Sequence, residues 1–304
     1  MITQKLCQYK SFGKCAELTD GRTKALITLD VGPRIIYYGT DERNVFFEDT
    51  DGLVTNGGEY FDKNFKKGEA WHIYGGHRMW KSPEDDASYV PDNYPVEYAP
   101  FKDGAEFTQK LQPNTKLIFS MKVTMKDGGG LTVVHAVKNA GKYTANISVW
   151  SITVMKDGGT EIIPLNTADT GFLPNNFFAY WAYNDVNDKR LTALDGYLFL
   201  KQDPSAARPF KLGLLNKKGA AAYLTDGLLF VKKFGYINGA VYPDNNCNFE
   251  TYTSNLILEI ETLSPLFAVE PGTQVTHTEE FSLFADTGIF AEAFDKQTLD
   301  AFFG

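Results

Sequence analysis

The stretch Asn255-Leu-Ile-Leu-Glu-Ile-Glu-Thr-Leu-Ser-Pro265 carries the strongest fold signal in the chain. On a β-strand its side chains alternate between two faces: Leu256, Leu258 and Ile260 on one, and Ile257, Glu259 and Glu261 on the other. Glu259 and Glu261 then lie about 7 Å apart along the strand. Repulsion between the two carboxylates raises the pKa of one of them, which suits acid–base catalysis near neutral pH. A solvated outer strand face is the alternative interpretation, and the spacing alone favours it.

Short apolar or alternating runs of this kind recur along the chain, separated by Gly, Asp, Asn and Pro. The predicted strands are residues 25–30, 34–38, 45–48, 116–124, 131–138, 145–154, 161–164, 194–200, 211–215, 220–224, 228–234, 256–261 and 276–284. Many short strands with turn signals between them are typical of a sandwich or barrel and not of βαβ units. We therefore expect a mainly all-β fold of large antiparallel sheets.

Two nearly identical turns interrupt these strands, Thr124-Met-Lys-Asp-Gly-Gly129 and Val154-Met-Lys-Asp-Gly-Gly159. The Asp-Gly pair suits the positive φ angles of a tight hairpin turn. The favoured interpretation is one hairpin solution used twice, and an internal duplication is the alternative.

Only the C-terminal tail has a helical pattern, with Asp286 or Thr287 as the capping residue. The apolar residues that follow at helix spacing are Ile289, Phe290, Ala293 and Phe294. We expect a short helix that covers one sheet edge and ends with Leu299, Phe302 and Phe303 packed down.

The composition is that of an acidic globular protein. The 304 residues include 38 acidic and 30 basic ones, for a formal net charge of −8, and 43% of residues are hydrophobic. Those proportions rule out wholesale disorder and a coiled coil. Because the chain has no basic stripe, no nucleic-acid partner is expected. No linker-like stretch divides the sequence, which favours a single domain over residues 1–304.

The cysteines and the apolar runs bear on the cellular location. Cys7, Cys15 and Cys247 form no C-x-x-C pair, which argues against a disulfide framework or a zinc ribbon. No run approaches the length of a membrane span, so no membrane partner is expected. The N-terminus has no apolar leader region. The expected location is the cytoplasm, or the periplasm or cell exterior if a leader was trimmed, and the oligomeric state stays open.

Residues 50–100 form a long polar and aromatic segment rich in Gly and Pro, which predicts an irregular functional region. At its centre lies Trp71-His-Ile-Tyr-Gly-Gly-His-Arg-Met-Trp80. His77 can act as an acid or base near neutral pH, and Arg78 can donate to hydroxyls or carboxylates. Trp71 and Trp80 can stack on a sugar ring. A structural loop with its Trp residues in the core is the alternative interpretation.

No metal and no cofactor are expected. The sequence has no dinucleotide fingerprint and no P-loop. His72 and His77 are five residues apart, which suits neither a helical zinc pair nor a finger. A polar run at residues 245–255 contains Glu250 and could line a groove with hydrogen-bonding groups, or form an Asn-rich turn.

Together these motifs resemble the galactose mutarotase-like (aldose 1-epimerase-like) superfamily. The opening Leu29-Asp-Val-Gly-Pro-Arg-Ile-Ile36 resembles that fold's first hairpin, and Gly75-Gly76 before Trp80 is similar to the mutarotase Gly-Gly loop. Residues 249–255 resemble a Gln-Phe-Tyr-Thr-Gly-Asn stretch, and residues 258–272 resemble the segment with the catalytic glutamate. The motifs span nearly the whole chain in the right order. They look like a bacterial branch with no assigned activity.

The resemblance implies a supersandwich with a sugar groove on one sheet face. In mutarotases a glutamate takes the proton of the anomeric hydroxyl while a histidine protonates the ring oxygen. By position the glutamate falls on Glu261, and a sugar-contacting glutamine falls on Glu250. Where mutarotases have a histidine before Gly-Gly, this chain has Tyr74. Their second histidine has no counterpart in the corresponding residues 147–151, so His77 is the candidate substitute.

Three functions follow as hypotheses. The first is an aldose mutarotase-type isomerase acting on a small-molecule carbohydrate. Glu261 would be the base, His77 the acid, and Glu259 a neighbour that tunes the pKa of Glu261. The substrate contacts would be His72, Tyr74, Arg78, Trp80, Glu250 and Trp181. The second is a non-catalytic carbohydrate-binding protein, which the missing histidine favours. The third is a polysaccharide-processing enzyme with an open channel lined by tryptophans.

Overall fold

The chain folds mainly into antiparallel β-strands, and the computed structural model describes residues 1–285 and 295–303. The strands of the first half are β1 (Thr3–Gln8), β2 (Lys14–Thr19), β3 (Thr23–Thr28), β4 (Ile35–Thr40), β5 (Arg43–Asn44), β6 (Thr55–Asn56), β7 (Trp71–His72), β8 (Gly76–Ser82), β9 (Glu97–Phe101), β10 (Gly104–Thr108), β11 (Leu117–Met125), β12 (Leu131–Asn139) and β13 (Ala145–Met155). Those of the second half are β14 (Thr160–Pro164), β15 (Ala179–Tyr180), β16 (Leu191–Leu194), β17 (Tyr197–Lys201), β18 (Phe210–Leu214), β19 (Ala220–Thr225), β20 (Leu228–Phe234), β21 (Phe249–Thr253), β22 (Leu258–Leu263), β23 (Phe267–Val269) and β24 (Gln274–Ala285). The helices are α1 (Glu59–Asn64), the irregular turn α2 (Pro243–Asn246) and α3 (Lys296–Phe303), with 3-10 turns at Lys10–Phe12 and Asp86–Ser88.

Two large sheets contain nearly all of these strands. The first sheet has the order β1-β2-β3-β4-β8-β13-β22-β21-β18-β15, with β5 beside β4 and β23 beside β13. The second has the order β16-β17-β14-β19-β20-β24-β12-β11-β10-β9, and β6 and β7 form a small separate pair. Neighbouring strands run antiparallel. The predicted fold class, large antiparallel sheets with a short C-terminal helix, is confirmed.

The main core lies between the inner faces of the two sheets, because each strand turns one phase of its side chains inward. Met155 of β13 and Ile260 of β22 contribute from the first sheet, and Val133 of β12 and Phe230 of β20 from the second. In the central strands of the first sheet, the side chains that point away from this core form a separate cluster around Trp80 and Trp150. Those central strands therefore carry apolar side chains on both faces.

Helix α3 covers the outer face of the second sheet near its β16 end. Leu299 and Phe303 are buried there against side chains such as Phe199 and Val231, and Phe302 packs beside them. The expected packing of these three residues is thus present, on a sheet face and not on an edge. The predicted beginning of the helix, from Asp286 to Phe294, lies outside the described residues.

Residues 50–100 are more regular than predicted. They include β8, which lies between β4 and β13 at the centre of the first sheet. All seven residues of Gly76–Ser82 are buried. The Gly-Gly-His-Arg-x-Trp motif therefore leads into a central strand and is not a loop. Strands β4 and β13, which are both largely apolar, lie on either side of it.

The two Asp-Gly-Gly turns have different roles. The first joins β11 to β12, which pair as a hairpin. The second joins β13 to β14, which belong to different sheets. Gly128 and Gly158 have similar positive φ angles, 87° and 76°. The interpretation of one hairpin used twice is therefore wrong for the second turn, which is a crossover between the sheets.

Gly76 is required by close backbone packing, and we expect Gly76→Ala to be strongly destabilising. Its φ is +66°, and a Cβ there would lie 2.3 Å from the Ile35 carbonyl oxygen. Gly52 is a matched control, since its φ is +68° but a Cβ there would meet nothing within 4 Å. Gly52→Ala costs only the backbone strain, whereas Gly76→Ala adds a clash of about 1–3 kcal/mol. Chemical denaturation of both variants measures the difference, and equal losses would contradict the packing argument.

No helix of the described residues combines the length and the apolar character that crossing a lipid bilayer requires.

Candidate functional site

The candidate site lies on the outer face of the first sheet, opposite the main core. Strand alternation places Arg78 and Trp80 of β8 on this face, while His77 and Met79 point the other way. The register continues the row across the sheet: Trp80 lies opposite Trp150 of β13, and Ile152 of β13 lies opposite Glu261 of β22. The same face therefore collects aromatic, basic and acidic side chains from strands that are far apart in sequence.

A cavity of about 550 Å³ opens on this face. Its aromatic lining residues are Trp71, Trp80, Tyr89, Trp150, Trp181, Tyr183 and Tyr252. Its charged lining residues are Arg78, Glu84, Lys211 and Glu259. A concave, largely apolar wall with a few convergent polar groups is the usual form of a small-molecule site, and the volume is in the usual range.

A second cavity of about 260 Å³ lies elsewhere, between residues 90–96 and 109–113. Its walls are mainly apolar, and the Asp92 carboxylate in them already forms an ion pair with Arg34. Because charged groups converge in the larger cavity and not in this one, the larger cavity is the better candidate.

Arg78 forms one wall of the larger cavity and packs against two neighbouring tryptophans. Its guanidinium carbon lies 5.0 Å from the Trp71 ring centroid and 4.0 Å from that of Trp80. The Nε and Nη1 atoms are buried and have no hydrogen-bond partner among the described residues. Burial lowers the pKa of Arg78 to about 10, so the group is still charged at neutral pH. An incompletely paired guanidinium beside a cavity is suited to bind a polar ligand.

Lys211 links the cavity to two carboxylates beneath it. Its Nζ atom lies 2.8 Å from Glu250 Oε2 and 3.0 Å from Glu261 Oε2. The indole N–H of Trp150 also donates to Glu261 Oε2, at 2.8 Å. Glu250 is 1% exposed and Glu261 is 0% exposed. The solvated interpretation of the acidic strand face is therefore wrong, since Glu261 is enclosed and bound.

The electrostatics of this triad follow from its burial. Burial opposes the charge of Lys211, but the carboxylates of Glu261 and Glu250 outweigh it and raise the pKa of Lys211 well above its usual value. Burial raises the pKa of Glu250 to about 8, against the opposing effect of the Lys211 charge. The lysine is thus firmly protonated, and Glu250 is largely protonated near neutral pH.

Of the two acids of β22, Glu259 is the one that lines the cavity. It lies on the same face of β22 as Glu261, as the alternation predicts, while Ile260 points into the main core. Burial and, secondly, the charge of Glu261 raise the pKa of Glu259 to about 7, and Arg78 and Lys211 limit the rise. A wall carboxyl with this pKa can give and take a proton near neutral pH.

The structure does not bring His77 to the cavity. Its ring lies between the two sheets, is 0% exposed, and contacts Thr153 and His135. Because Arg78 is the next residue of the same strand and lines the cavity, His77 necessarily faces the other side. The predicted pairing of His77 with Glu261 as acid and base is therefore wrong.

His72 and Tyr74 also lie away from the described lining of the cavity. The His72 carbonyl accepts from Arg34 Nη2, and the Tyr74 hydroxyl donates to Asn93 Oδ1 at 2.8 Å. The Tyr74 ring lies 4.9 Å from the Arg34 guanidinium. Both residues stabilise the chain around Arg34, so direct substrate contact is not supported for either of them.

Of the other predicted site residues, four line the cavity: Arg78, Trp80, Trp181 and Glu259. Glu250 and Glu261 lie under it and are bound to Lys211. Lys211 was not among the predicted site residues, although a lysine inside the apolar strand Phe210–Leu214 is an available signal. Trp150 and Tyr252 were not predicted either, because their position depends on which strands are neighbours.

Comparisons with known proteins agree on the fold. No family model and no curated protein sequence matches the chain. Among solved structures, a Klebsiella pneumoniae protein described provisionally as an aldose 1-epimerase is 10% identical with a TM-score of 0.60, over 99% of this chain and 85% of that one. A galactose mutarotase-like protein from Lactobacillus casei is 11% identical with a TM-score of 0.56, over 89% of this chain and 100% of that one. The Slr1438 protein of Synechocystis is 13% identical with a TM-score of 0.56, over 90% of this chain and 96% of that one.

At these identities the likeness concerns the fold alone. The chain has the galactose mutarotase-like fold that its motifs predicted. The activity has to be argued from the cavity itself, since one fold carries many functions.

Proposed function

We propose that the cavity on the outer face of the first sheet binds a sugar, and that the protein is an aldose isomerase of mutarotase type. The observation that carries the proposal is Glu259, a cavity-wall carboxyl with a pKa of about 7 beside aromatic walls. The likeness to a galactose mutarotase-like protein supports a small-molecule sugar as the ligand.

The walls of the cavity fit both the apolar faces and the hydroxyl groups of a sugar ring. The apolar C–H faces of a pyranose stack on indole and phenol rings, and Trp80, Trp150 and Trp181 provide such surfaces. Hydroxyl groups need directional partners, which Arg78 and Lys211 supply as donors and Glu259 as an acceptor. A purely apolar ligand would leave the free donors of Arg78 without a partner.

The proposed chemistry uses Glu259 as the base. Its carboxylate takes the proton from the anomeric hydroxyl while the bond between C1 and the ring oxygen breaks. The ring oxygen gains a proton from Tyr252, which lies opposite Glu259 in the register of β21 and β22. Burial raises the pKa of Tyr252, so its hydroxyl is protonated before the step. Rotation about C1–C2 and the reverse transfers give the other anomer.

This assignment moves the base from Glu261 to Glu259. A base must reach the proton that it abstracts. Glu261 is fully buried, with Oε2 bound to Lys211 and Trp150, whereas Glu259 lines the cavity. Glu261 then acts as a positioning residue, which fixes Lys211 and raises the pKa of Glu259.

A non-catalytic carbohydrate-binding protein is the second candidate. The position of His77 between the sheets favours it, because no imidazole is then among the described residues that line the cavity and could protonate the ring oxygen. Calorimetric sugar binding without any acceleration of anomer exchange would support this candidate against the first.

The direct test is proton NMR or polarimetry of freshly dissolved aldoses with and without the protein, using hexoses, pentoses and uronic acids. We expect faster equilibration of at least one sugar. If no sugar is accelerated but one binds, the isomerase proposal fails and the binding function stands. If none binds or reacts, both proposals fail.

The pH dependence of the rate is a further prediction. The base form of Glu259 appears as the pH rises through about 7, because burial holds its pKa there. The catalysed kcat/KM should therefore rise between about pH 5.5 and 7.5 and then level off. A profile that is flat over this range, after subtraction of the uncatalysed rate, would contradict Glu259 as the base.

A further inference from the structure

Three metal-ligating atoms converge between the two sheets, on the far side of the first sheet from the cavity. His77 Nε2 lies 2.9 Å from His135 Nε2, and each of these nitrogens lies 3.3 Å from Glu279 Oε2. All three side chains are 0% exposed. His77 belongs to β8 of the first sheet, and His135 and Glu279 belong to β12 and β24 of the second.

With Glu279 ionised in its pair with Lys232, no placement of protons makes all three contacts hydrogen bonds. If both imidazoles carry a proton on Nε2, two donors face each other at 2.9 Å. If only His135 carries it, one proton is shared between two acceptors, and His77 Nε2 still faces Glu279 Oε2 with lone pair against lone pair. Within an enclosed core such a contact is costly, because no water screens it.

The His77 ring has a second partner that fixes its orientation. Its Nδ1 lies 2.9 Å from the hydroxyl oxygen of Thr153, which also accepts from Lys232 Nζ at 3.0 Å. When the Thr153 oxygen accepts a hydrogen bond from the Nδ1–H group, Nε2 is the unprotonated nitrogen, which is the form in which histidine binds a metal.

A cation at the centre of the triangle satisfies all three atoms at once. The point that is equally far from the three atoms lies about 1.8 Å from each of them. An ion slightly out of their plane therefore has bonds of about 2.0–2.2 Å to all three. Glu279 offers Oε2 to this position, because its Oε1 is already paired with Lys232 at 2.9 Å. The Ser151 hydroxyl, 2.7 Å from Oε2, is a further oxygen beside the cluster.

We propose that His77, His135 and Glu279 bind one divalent transition-metal ion, of the class of Zn²⁺, which links the two sheets. Two imidazoles and one carboxylate are a ligand set that this class prefers. The ion is structural, since the cluster is enclosed in the core and Arg78, the neighbour of His77, faces the cavity instead. This proposal is independent of the sugar chemistry and does not need it.

The test is metal binding by the full chain. Protein produced with Zn²⁺ in the medium should retain about one ion per chain by mass spectrometry of the metal. After chelation, Co²⁺ titration should give the intense visible bands of a four-coordinate site with imidazole ligands, and the midpoint of thermal unfolding should rise with the metal concentration. If the wild-type chain retains no metal and gives no such spectrum, the proposal is overturned, whether or not any variant folds.

Variants locate the ion. We expect His135→Gln to lower the Co²⁺ affinity by more than about 100-fold, since even outer partners of a metal ligand contribute 10- to 100-fold. His277 lies in the same buried phase of β24, but its Nε2 is 3.8 Å from Glu279 Oε1 and contacts Thr262, which donates to the same oxygen. His277→Gln therefore changes a neighbour of a ligand and should lower the affinity less than His135→Gln. His72→Gln is the control for binding outside the cluster. Loss of the metal in His72→Gln, an equal loss in His277→Gln and His135→Gln, or wild-type affinity in a folded His135→Gln would overturn the assignment.

Discussion

Replacing Lys211 by methionine is expected to lower the free energy of unfolding by about 3–5 kcal/mol at pH 8. The methionine side chain fills a similar volume, but it leaves the carboxyls of Glu250 and Glu261 enclosed without their cation. The loss of a charge partner in the core costs far more than the loss of a surface ion pair, because the remaining carboxylate is neither solvated nor paired.

The loss should depend on pH in a defined direction. The folded-state pKa of Glu250, about 8 even with Lys211 present, lies above its unfolded value of about 4.3. A carboxyl whose pKa is raised in the folded state contributes stability that is present at low pH and is lost as the pH rises through its folded-state pKa. Without Lys211 the enclosed carboxyl of Glu250 is tolerated only when protonated, so Lys211→Met should be far less damaging at about pH 5 than at about pH 8.5.

Two controls separate charge from packing. Lys126→Met removes a lysine whose pair with Glu280 is about half exposed, and it should cost less than about 1 kcal/mol. The triple variant Lys211→Met/Glu250→Gln/Glu261→Gln keeps the shape without the charges and should recover much of the stability. Urea unfolding at both pH values gives the comparison. A loss in Lys211→Met no larger than in Lys126→Met would refute the buried triad.

The sequence was sufficient for the fold class because strand alternation is local. The alternation around Glu259 and Glu261 is correct in the structure, and so is the order of motifs that indicates the mutarotase-like fold. The same rule applied to Gly76–Ser82 would have placed His77 and Arg78 on opposite faces. The error lay in treating that stretch as a loop, since glycine pairs are common in turns and this pair instead fits against the backbones of Phe47 and Ile35.

The contacts between distant strands could not be predicted in the same way. His135 and Glu279 alternate with apolar inward residues such as Val133 and Phe281, which marks them as buried polar residues. Nothing in the sequence tells which of them meet, because β8, β12 and β24 come together only through the packing of two sheets. The same holds for Lys211, whose two carboxylate partners come from neighbouring strands whose order is not readable from spacing.

Glu259→Gln is the second variant with a large expected effect. It keeps the shape of the cavity wall but removes the base, so kcat for anomer exchange should fall by about 10²–10⁴-fold. The KM and the calorimetric affinity for the sugar should change much less, since the amide oxygen still accepts hydrogen bonds. The rise of the rate through pH 7 should vanish with the carboxyl.

Glu261→Gln distinguishes the two acids of the strand. The charge of Glu261 is the second cause of the raised pKa of Glu259, after burial. Removing that charge should lower the pKa of Glu259 and shift the pH profile to lower pH, with the plateau rate largely kept. Glu106→Gln, on an exposed position of β10 in the other sheet, should change neither rate nor profile. If Glu261→Gln abolishes the exchange and Glu259→Gln leaves it intact, the base is Glu261, and Lys211 must then release it when the sugar binds.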